Sequence, residues 1–315
     1  MNNFISVNQF SDKKQIYDFF STVLSIDSGI IRPHLNGKIM ATLFYEPSTR
    51  TRFSFETAMI RLQGSVLSES NARNLSVSKG ETLEDTIKTV GNYADVIVLR
   101  HSDRGASQRA LKASTIPLIN AGDGDGEHPT QALLDLFTIY QNFKSFDGLK
   151  VLFCGDLRHS RTTNSLLNLL SLFDGVEVIA ASPPQCSLPY DGVRNITLKN
   201  NWYENLKSAL KKKPDVVYMT RLQKERIISA NTMLGSCRKI EDYFNWNDYC
   251  LTPDLIKNLK NNAIIMHPLP RNAEIHESVD IDPRAVYFSQ QVKNGLKIRM
   301  ALLYSIFYDK VVWDD

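Results

Sequence analysis

The 315-residue chain has no apolar run longer than a strand, so no segment reads as a helix that crosses a bilayer. Its first residues lack a positive segment followed by an apolar one; a secretory signal is therefore not expected, and the chain reads as cytoplasmic. Cysteine is scarce. Cys154, Cys186, Cys237 and Cys250 are scattered and form no C-x-x-C pair, which argues for reduced thiols and against a disulfide framework or a zinc site. An excess of one charge is also missing: the formal net charge is +3, and the longest basic run is Lys211-Lys212-Lys213. That balance disfavours nucleic acid and anionic membranes as partners. There is no G-x-x-x-x-G-K-[ST] loop, and the segment following Gly155 does not match a dinucleotide fingerprint. The acidic glycine-rich stretch 122–127 lacks the spacing and late bidentate glutamate of a calcium loop. Neither a metal nor a cofactor is expected.

What remains is an ordinary globular composition, 43% hydrophobic and 23% charged, with chain enough for two domains that each bury a core. Apolar strand-length runs at 39–44, 95–100, 116–120, 150–155, 176–181, 215–219 and 263–266 alternate with helical periodicities. The helices are expected at 14–24, from Pro47 to Gly64, and at 83–94, 106–113, 129–140, 161–173, 202–212, 253–260 and 295–308. Residues 66–80 are polar and aperiodic, and read as a long functional loop. Strand alternating with helix predicts an α/β protein of two doubly wound domains, each a parallel sheet flanked by helices.

The most informative stretch is 48–52, Ser48-Thr49-Arg50-Thr51-Arg52, between a buried strand and a helix. A helix amino end carries about half a positive charge and should repel arginines. A bound anion resolves the conflict, because free N–H groups, three hydroxyls and two guanidinium groups would converge on it. The plainer alternative is a serine cap followed by two solvated arginines. In open α/β sheets ligands sit beyond the carboxyl ends of the strands. That rule selects residues 48–52, Arg100, His128 with Gln131 at the start of a helix, Arg161, Arg221 with Gln223, and residues 267–271. The set is cationic and amide, with no carboxylate pair, metal cluster or Ser-His-Asp arrangement. The implied substrates are anions, and catalysis rests on positioning and on stabilising oxyanion charge.

In order along the chain, STRTR, SKGET, HPTQ, GDLRHSRT, YMTRLQKER and HPLPR resemble the catalytic chains of the aspartate carbamoyltransferase family over nearly the whole length. The resemblance implies a carbamoyl-phosphate-binding domain, 1–131, joined by a returning C-terminal helix, 294–315, and an aspartate-binding domain, 132–293. It implies that Ser48, Thr49, Arg50 and Thr51 bind the phosphate and that Thr51, Arg100 and His128 polarise the carbamoyl carbonyl. Gln131 and the carbonyls of Leu269 and Pro270 would hold the carbamoyl amine, the Leu269–Pro270 bond being cis as in relatives. Arg161, Arg221 and Gln223 would grip the carboxylates of L-aspartate. A homotrimer with shared sites is implied, in which Lys79, and more weakly Ser76, act on the neighbouring chain's substrate, and the domains close on ligand. Relatives often carry serine four places before this lysine, where this chain has Leu75. The motifs carry no information on a regulatory chain. Glu46, Arg104, His267 and Arg271 are expected to hold loops, for instance by pairing across domains.

Two rivals are weaker. An ornithine-specific relative would carry HCLP and an SMG segment, where this chain has HPLP and Arg221-Leu222-Gln223. A silent homologue would have lost motif residues, and all are present.

Overall fold

The computed structural model describes residues 2–69, 80–188, 201–223 and 245–314. The chain forms two compact units, one made of Met1–Phe137 with Lys293–Asp315 and the other of Thr138–Val292. The first passage between them falls inside a helix, a little beyond the 131/132 division drawn from the sequence.

In the first unit β1 (Ile39–Phe44), β2 (Ser65–Glu69), β3 (Val96–His101) and β4 (Leu118–Asp123) lie in the order β2-β1-β3-β4, every pairing parallel. The interior strands β1 and β3, and the edge strand β4, are buried along nearly their whole length, as a sheet covered on both faces requires. On one face Ala41, Leu43, Ile97, Leu99 and Leu118 pack with Leu83, Ile87, Ala106 and Ala110. The helices are α1 (Lys13–Asp27), α2 (Thr49–Arg61), α3 (Leu83–Val90), α4 (Ala106–Ala113) and α5 (Pro129–Phe143). Asp12 caps α1 and Thr82 caps α3 by accepting backbone N–H bonds. The terminal segment returns to the same unit, where the Trp313 ring packs against Phe4, Phe10 and Phe19 at centroid distances of 5.1, 5.9 and 5.8 Å.

β2 corrects the expectation that 66–80 is loop from its first residue. Its side chains are half-buried or exposed, so the strand has no apolar run to announce it. It forms because its backbone pairs with β1, from Ile39 opposite Ser65 to Leu43 opposite Glu69.

The second unit holds β5 (Lys150–Cys154), β6 (Glu177–Ala181), β7 (Trp202–Tyr203), β8 (Val216–Met219) and β9 (Ile264–Met266) in the order β7-β6-β5-β8-β9, again parallel. Its helices are α6 (Arg161–Leu170), α7 (Leu206–Leu210) and the single turn α8 (Pro253–Ile256). The helix expected over 202–212 is thus a short strand followed by a short helix. Asn205 sets the boundary, since its side chain accepts from the Ser208 N–H at 2.8 Å and starts the helix there. Leu152, Cys154, Ile179, Val217, Met219 and Ile265 form the centre of this core. Burial pushes the Cys154 and Cys186 thiols well above the usual range, so both are inert packing groups; Cys237 lies outside the described residues. A π turn, Tyr287–Gln291, leads into α9 (Val292–Phe307). Among the described residues no helix is long and apolar enough to cross a membrane.

Candidate active site

Each sheet reverses its winding once. From β1 the chain moves to β2 on one side and then to β3 on the other, so a crevice opens at the carboxyl ends of β1 and β3. In the second sheet the same reversal separates β5 from β8. Arg50, Arg52, Arg100, Arg161 and Arg221 stand at the ends of these four strands, whereas His128 follows β4 and residues 267–271 follow β9.

After β1, Ser48 occupies the cap position of α2 in an extended conformation, yet its side chain makes no capping bond. The plainer reading of a serine cap is therefore not realised. The N–H groups of the first turn are left without that partner, while Thr51 is buried and Ser48 and Thr49 reach solvent. The Arg50 side chain has an exposed surface, but enough packed protein surrounds it for burial to lower its guanidinium pKa. A second positive charge at the positive end of a helix costs energy that an anion would recover.

Arg100 stands near the carboxyl end of β3, opposite Phe44 of β1. Its Nη2 lies 2.9 Å from a Glu46 carboxylate oxygen, its Nη1 donates to the Ala121 carbonyl at 3.3 Å, and Nη1 is also 3.5 Å from Nε2 of His128. Both Arg100 and His128 are buried. The arrangement depends on Gly122, with φ of 130°: a Cβ there would stand 2.9 Å from Nη1 of Arg100. His128 begins α5, its carbonyl accepting from the N–H groups of Gln131 and Ala132 at 3.1 Å. The Gln131 amide donates to the wholly buried Asp135 at 2.9 Å. That bond fixes which end of the amide is which, and leaves the Gln131 oxygen as the acceptor a carbamoyl N–H would need. Asp123, from the acidic stretch once comparable to a calcium loop, accepts the Ala106 N–H at 3.1 Å and caps α4. Burial raises its carboxyl pKa, against the opposing effect of bonds from Gly105, Ala106 and Ser107.

In the second unit, the ends of β5 and β8 meet so closely that Gly155, with φ of 124°, has no room for a side chain. A Cβ would lie 2.2 Å from the Thr220 carbonyl oxygen. Arg161 opens α6 behind its cap Ser160, whose hydroxyl accepts from Thr163 N–H at 3.3 Å. Gln223, two residues beyond Arg221, donates to the His159 carbonyl at 3.2 Å and ties the β8 loop to the approach to Arg161. Arg161, Arg221 and Gln223 are all half-buried.

The Leu269–Pro270 bond is cis. Its loop is held by His267, whose Nδ1 accepts the Leu269 N–H at 2.7 Å, so Nε2 carries the proton given to Glu274 at 2.7 Å. Arg271 forks onto Asp280. Glu46, His267 and Arg271 thus brace their loops, through Arg100, Glu274 and Asp280 respectively. The partners Glu274, Asp280, Asp135 and Gly122 were not singled out from the sequence; Asp135, four residues beyond Gln131 on one helix, was within reach of a spacing argument. Lys79 and Ser76 lie outside the described residues. Among the described residues, no group of three or more His, Cys, Asp or Glu is placed to hold a metal ion.

Known proteins match the chain over most of its length. The model of the aspartate/ornithine carbamoyltransferase carbamoyl-P binding domain matches residues 2–141, and that of the Asp/Orn binding domain matches 147–306. The chain is 48% identical over 272 residues to aspartate carbamoyltransferase 1, chloroplastic, of Pisum sativum, covering 85% of this chain and 68% of that protein. It is 47% identical over 271 residues to the aspartate carbamoyltransferase catalytic subunit of Alkaliphilus oremlandii, covering 85% and 78%. Among solved structures, aspartate transcarbamoylase of Trypanosoma cruzi in complex with carbamoyl phosphate and aspartate superposes with a TM-score of 0.85 at 38% identity, covering 97% of each chain. With two family models spanning nearly its whole length and relatives near half identity, the chain belongs to the aspartate/ornithine carbamoyltransferase family.

Proposed function

We propose that this chain is an aspartate carbamoyltransferase: it moves the carbamoyl group of carbamoyl phosphate to the amine of L-aspartate, giving N-carbamoyl-L-aspartate and phosphate, a step of pyrimidine biosynthesis. The observation that carries this reading is the Arg100–His128 pair, 3.5 Å apart at the β1/β3 crevice, beside a helix start whose serine makes no cap. The names of the relatives and the ligands of the solved neighbours support the same choice of substrates.

The phosphate sits on Ser48, Thr49, Arg50 and Thr51, replacing the missing cap. Thr51, Arg100 and His128 hold the carbamoyl oxygen, while the Gln131 oxygen and the carbonyls of Leu269 and Pro270 accept from its amine. Arg161, Arg221 and Gln223 take the aspartate carboxylates, two guanidinium groups matching two negative groups. The neutral amine attacks the carbonyl carbon, and the tetrahedral oxyanion is stabilised by donors already in place. The carbon–oxygen bond to phosphate then breaks, and the departing phosphate takes the amine proton. A cytoplasmic homotrimer completes the proposal, with Lys79 and, more weakly, Ser76 supplied by a neighbouring chain.

The test is to incubate the protein with carbamoyl phosphate and either aspartate or ornithine and to measure the carbamoylated product. Carbamoyl aspartate is the expected product; turnover of ornithine alone would reverse the choice of acceptor.

A further inference from the structure

Arg299 lies in the middle of α9, with 3% of its surface exposed. Its Nη1 donates to the Ser54 hydroxyl at 2.6 Å and its Nη2 to the Thr130 hydroxyl at 3.3 Å, while the guanidinium carbon stands 4.9 Å from the centre of the Phe55 ring. No ion pair joins it to a carboxylate among the described residues. Burial brings its pKa down to about 9, against the opposing pull of the Asp135 charge.

A buried cation without a bonded anion is costly, and here Nη1 and Nη2 are bonded while the buried Nε has no partner. Here the fork spans two helices. Ser54 is one turn along α2 from Arg50, and Thr130 stands between His128 and Gln131. The space for it is made by Gly295, where a Cβ would come within 2.7 Å of Nη1 of Arg299.

We propose that Arg299 is a positioning residue for carbamoyl phosphate: by bridging Ser54 and Thr130 it fixes α2 and α5 in register, so that the phosphate-binding turn and the His128–Gln131 turn meet one ligand. This rests on the carbamoyl-transfer reading of the same residues. The Arg299 charge, only partly offset by that of Asp135, lies behind both helix starts, and a bound phosphate would offset it further.

The test uses the full chain and three variants, Arg299→Met, Arg299→Lys and Gly295→Ala. Binding of inorganic phosphate is read by calorimetry and the KM of each substrate by turnover. Arg299→Met should raise the KM for carbamoyl phosphate and the Kd for phosphate by about tenfold or more, the scale of one charge-assisted bond. The KM for aspartate at saturating carbamoyl phosphate should stay within about twofold of the wild-type value. Arg299→Lys should recover part of the loss, because its ammonium keeps the charge but cannot span both hydroxyls. Gly295→Ala keeps the charge, improves helix propensity and displaces the guanidinium, so it should raise the KM for carbamoyl phosphate without lowering the melting temperature. An unchanged KM and Kd in the folded variants, whatever their melting temperatures, would overturn the proposal. If Arg299→Met does not fold, Gly295→Ala decides alone. Tight phosphate binding by a wild-type protein that carbamoylates no aspartate would instead refute the assigned reaction and leave the role of Arg299 standing.

Discussion

The Nε2 of His267 lies 2.7 Å from a carboxylate oxygen of Glu274, and both side chains are buried. Burial alone would raise the Glu274 pKa, but the hydrogen bond from His267, with that from the Asn272 N–H at 3.0 Å, holds it below the ordinary glutamate range. A depressed carboxyl contributes stability that is complete above its unfolded pKa and is lost as pH falls through the folded one. The loss of this contribution, monitored in the second unit, should therefore set in as pH falls through the ordinary glutamate range and be complete only below it. Glu274→Gln should flatten that pH dependence and cost about 1.5–3 kcal/mol at neutral pH by denaturant titration. A variant with the wild-type acid midpoint would show that the pair does not brace the loop.

Gly155→Ala should be among the most damaging single-methyl changes in the chain. The added Cβ meets the Thr220 carbonyl, which cannot move because the Thr220 N–H donates to Cys154 at 2.7 Å. With φ of 124° as well, a loss of about 2–4 kcal/mol in denaturant unfolding is expected. Gly148→Ala, where a Cβ has open space, serves as the control and should lose less.

Arg50→Ala should lower kcat by about 10²–10³-fold while the melting temperature holds or rises, since the change removes charge stabilisation at the reacting centre and takes a positive charge from the positive end of a helix. Near-wild-type turnover would remove Arg50 from the mechanism.

Gly122→Ala tests whether Arg100 must sit where it does. The methyl group would push the guanidinium away from its place beside His128, and the KM for carbamoyl phosphate should rise by about tenfold or more. Arg100 is always a donor, so its contact makes Nε2 of His128 an acceptor in the free protein. Ligand must replace the imidazole as the partner of Arg100 before His128 can donate through Nε2. Nitrogen NMR of the labelled imidazole should report Nε2 changing from unprotonated to protonated on saturation with carbamoyl phosphate. A spectrum unaltered by ligand would count against that switch.

The residues most legible in the sequence were those that broke a local rule. Arginines at a helix start and a charge closing the run Val96 to Leu99 both stood out against their neighbours, and both sit at strand ends flanking a reversal of winding. The buried strands were legible because each is a continuous apolar run. β2 was not, because an edge strand is held by backbone bonds that its side chains do not advertise. Nor were Glu274 and Asp280, whose partners are set by the folding back of the 267–280 loop rather than by a helical or strand period. Helix lengths were overestimated where a cap or a left-handed residue intervenes, as Asn205 and Lys213 do around α7.

The clasp of Trp313 among three phenylalanines has an optical consequence. The other two indoles, Trp202 and Trp246, belong to the second unit, so intrinsic fluorescence is already divided between the two bodies of the molecule. Replacing Trp202 and Trp246 with phenylalanine would leave a single indole that reports on the clasping of the two chain ends, while Trp313→Phe would leave tryptophan emission only from the body that carries Arg161 and Arg221.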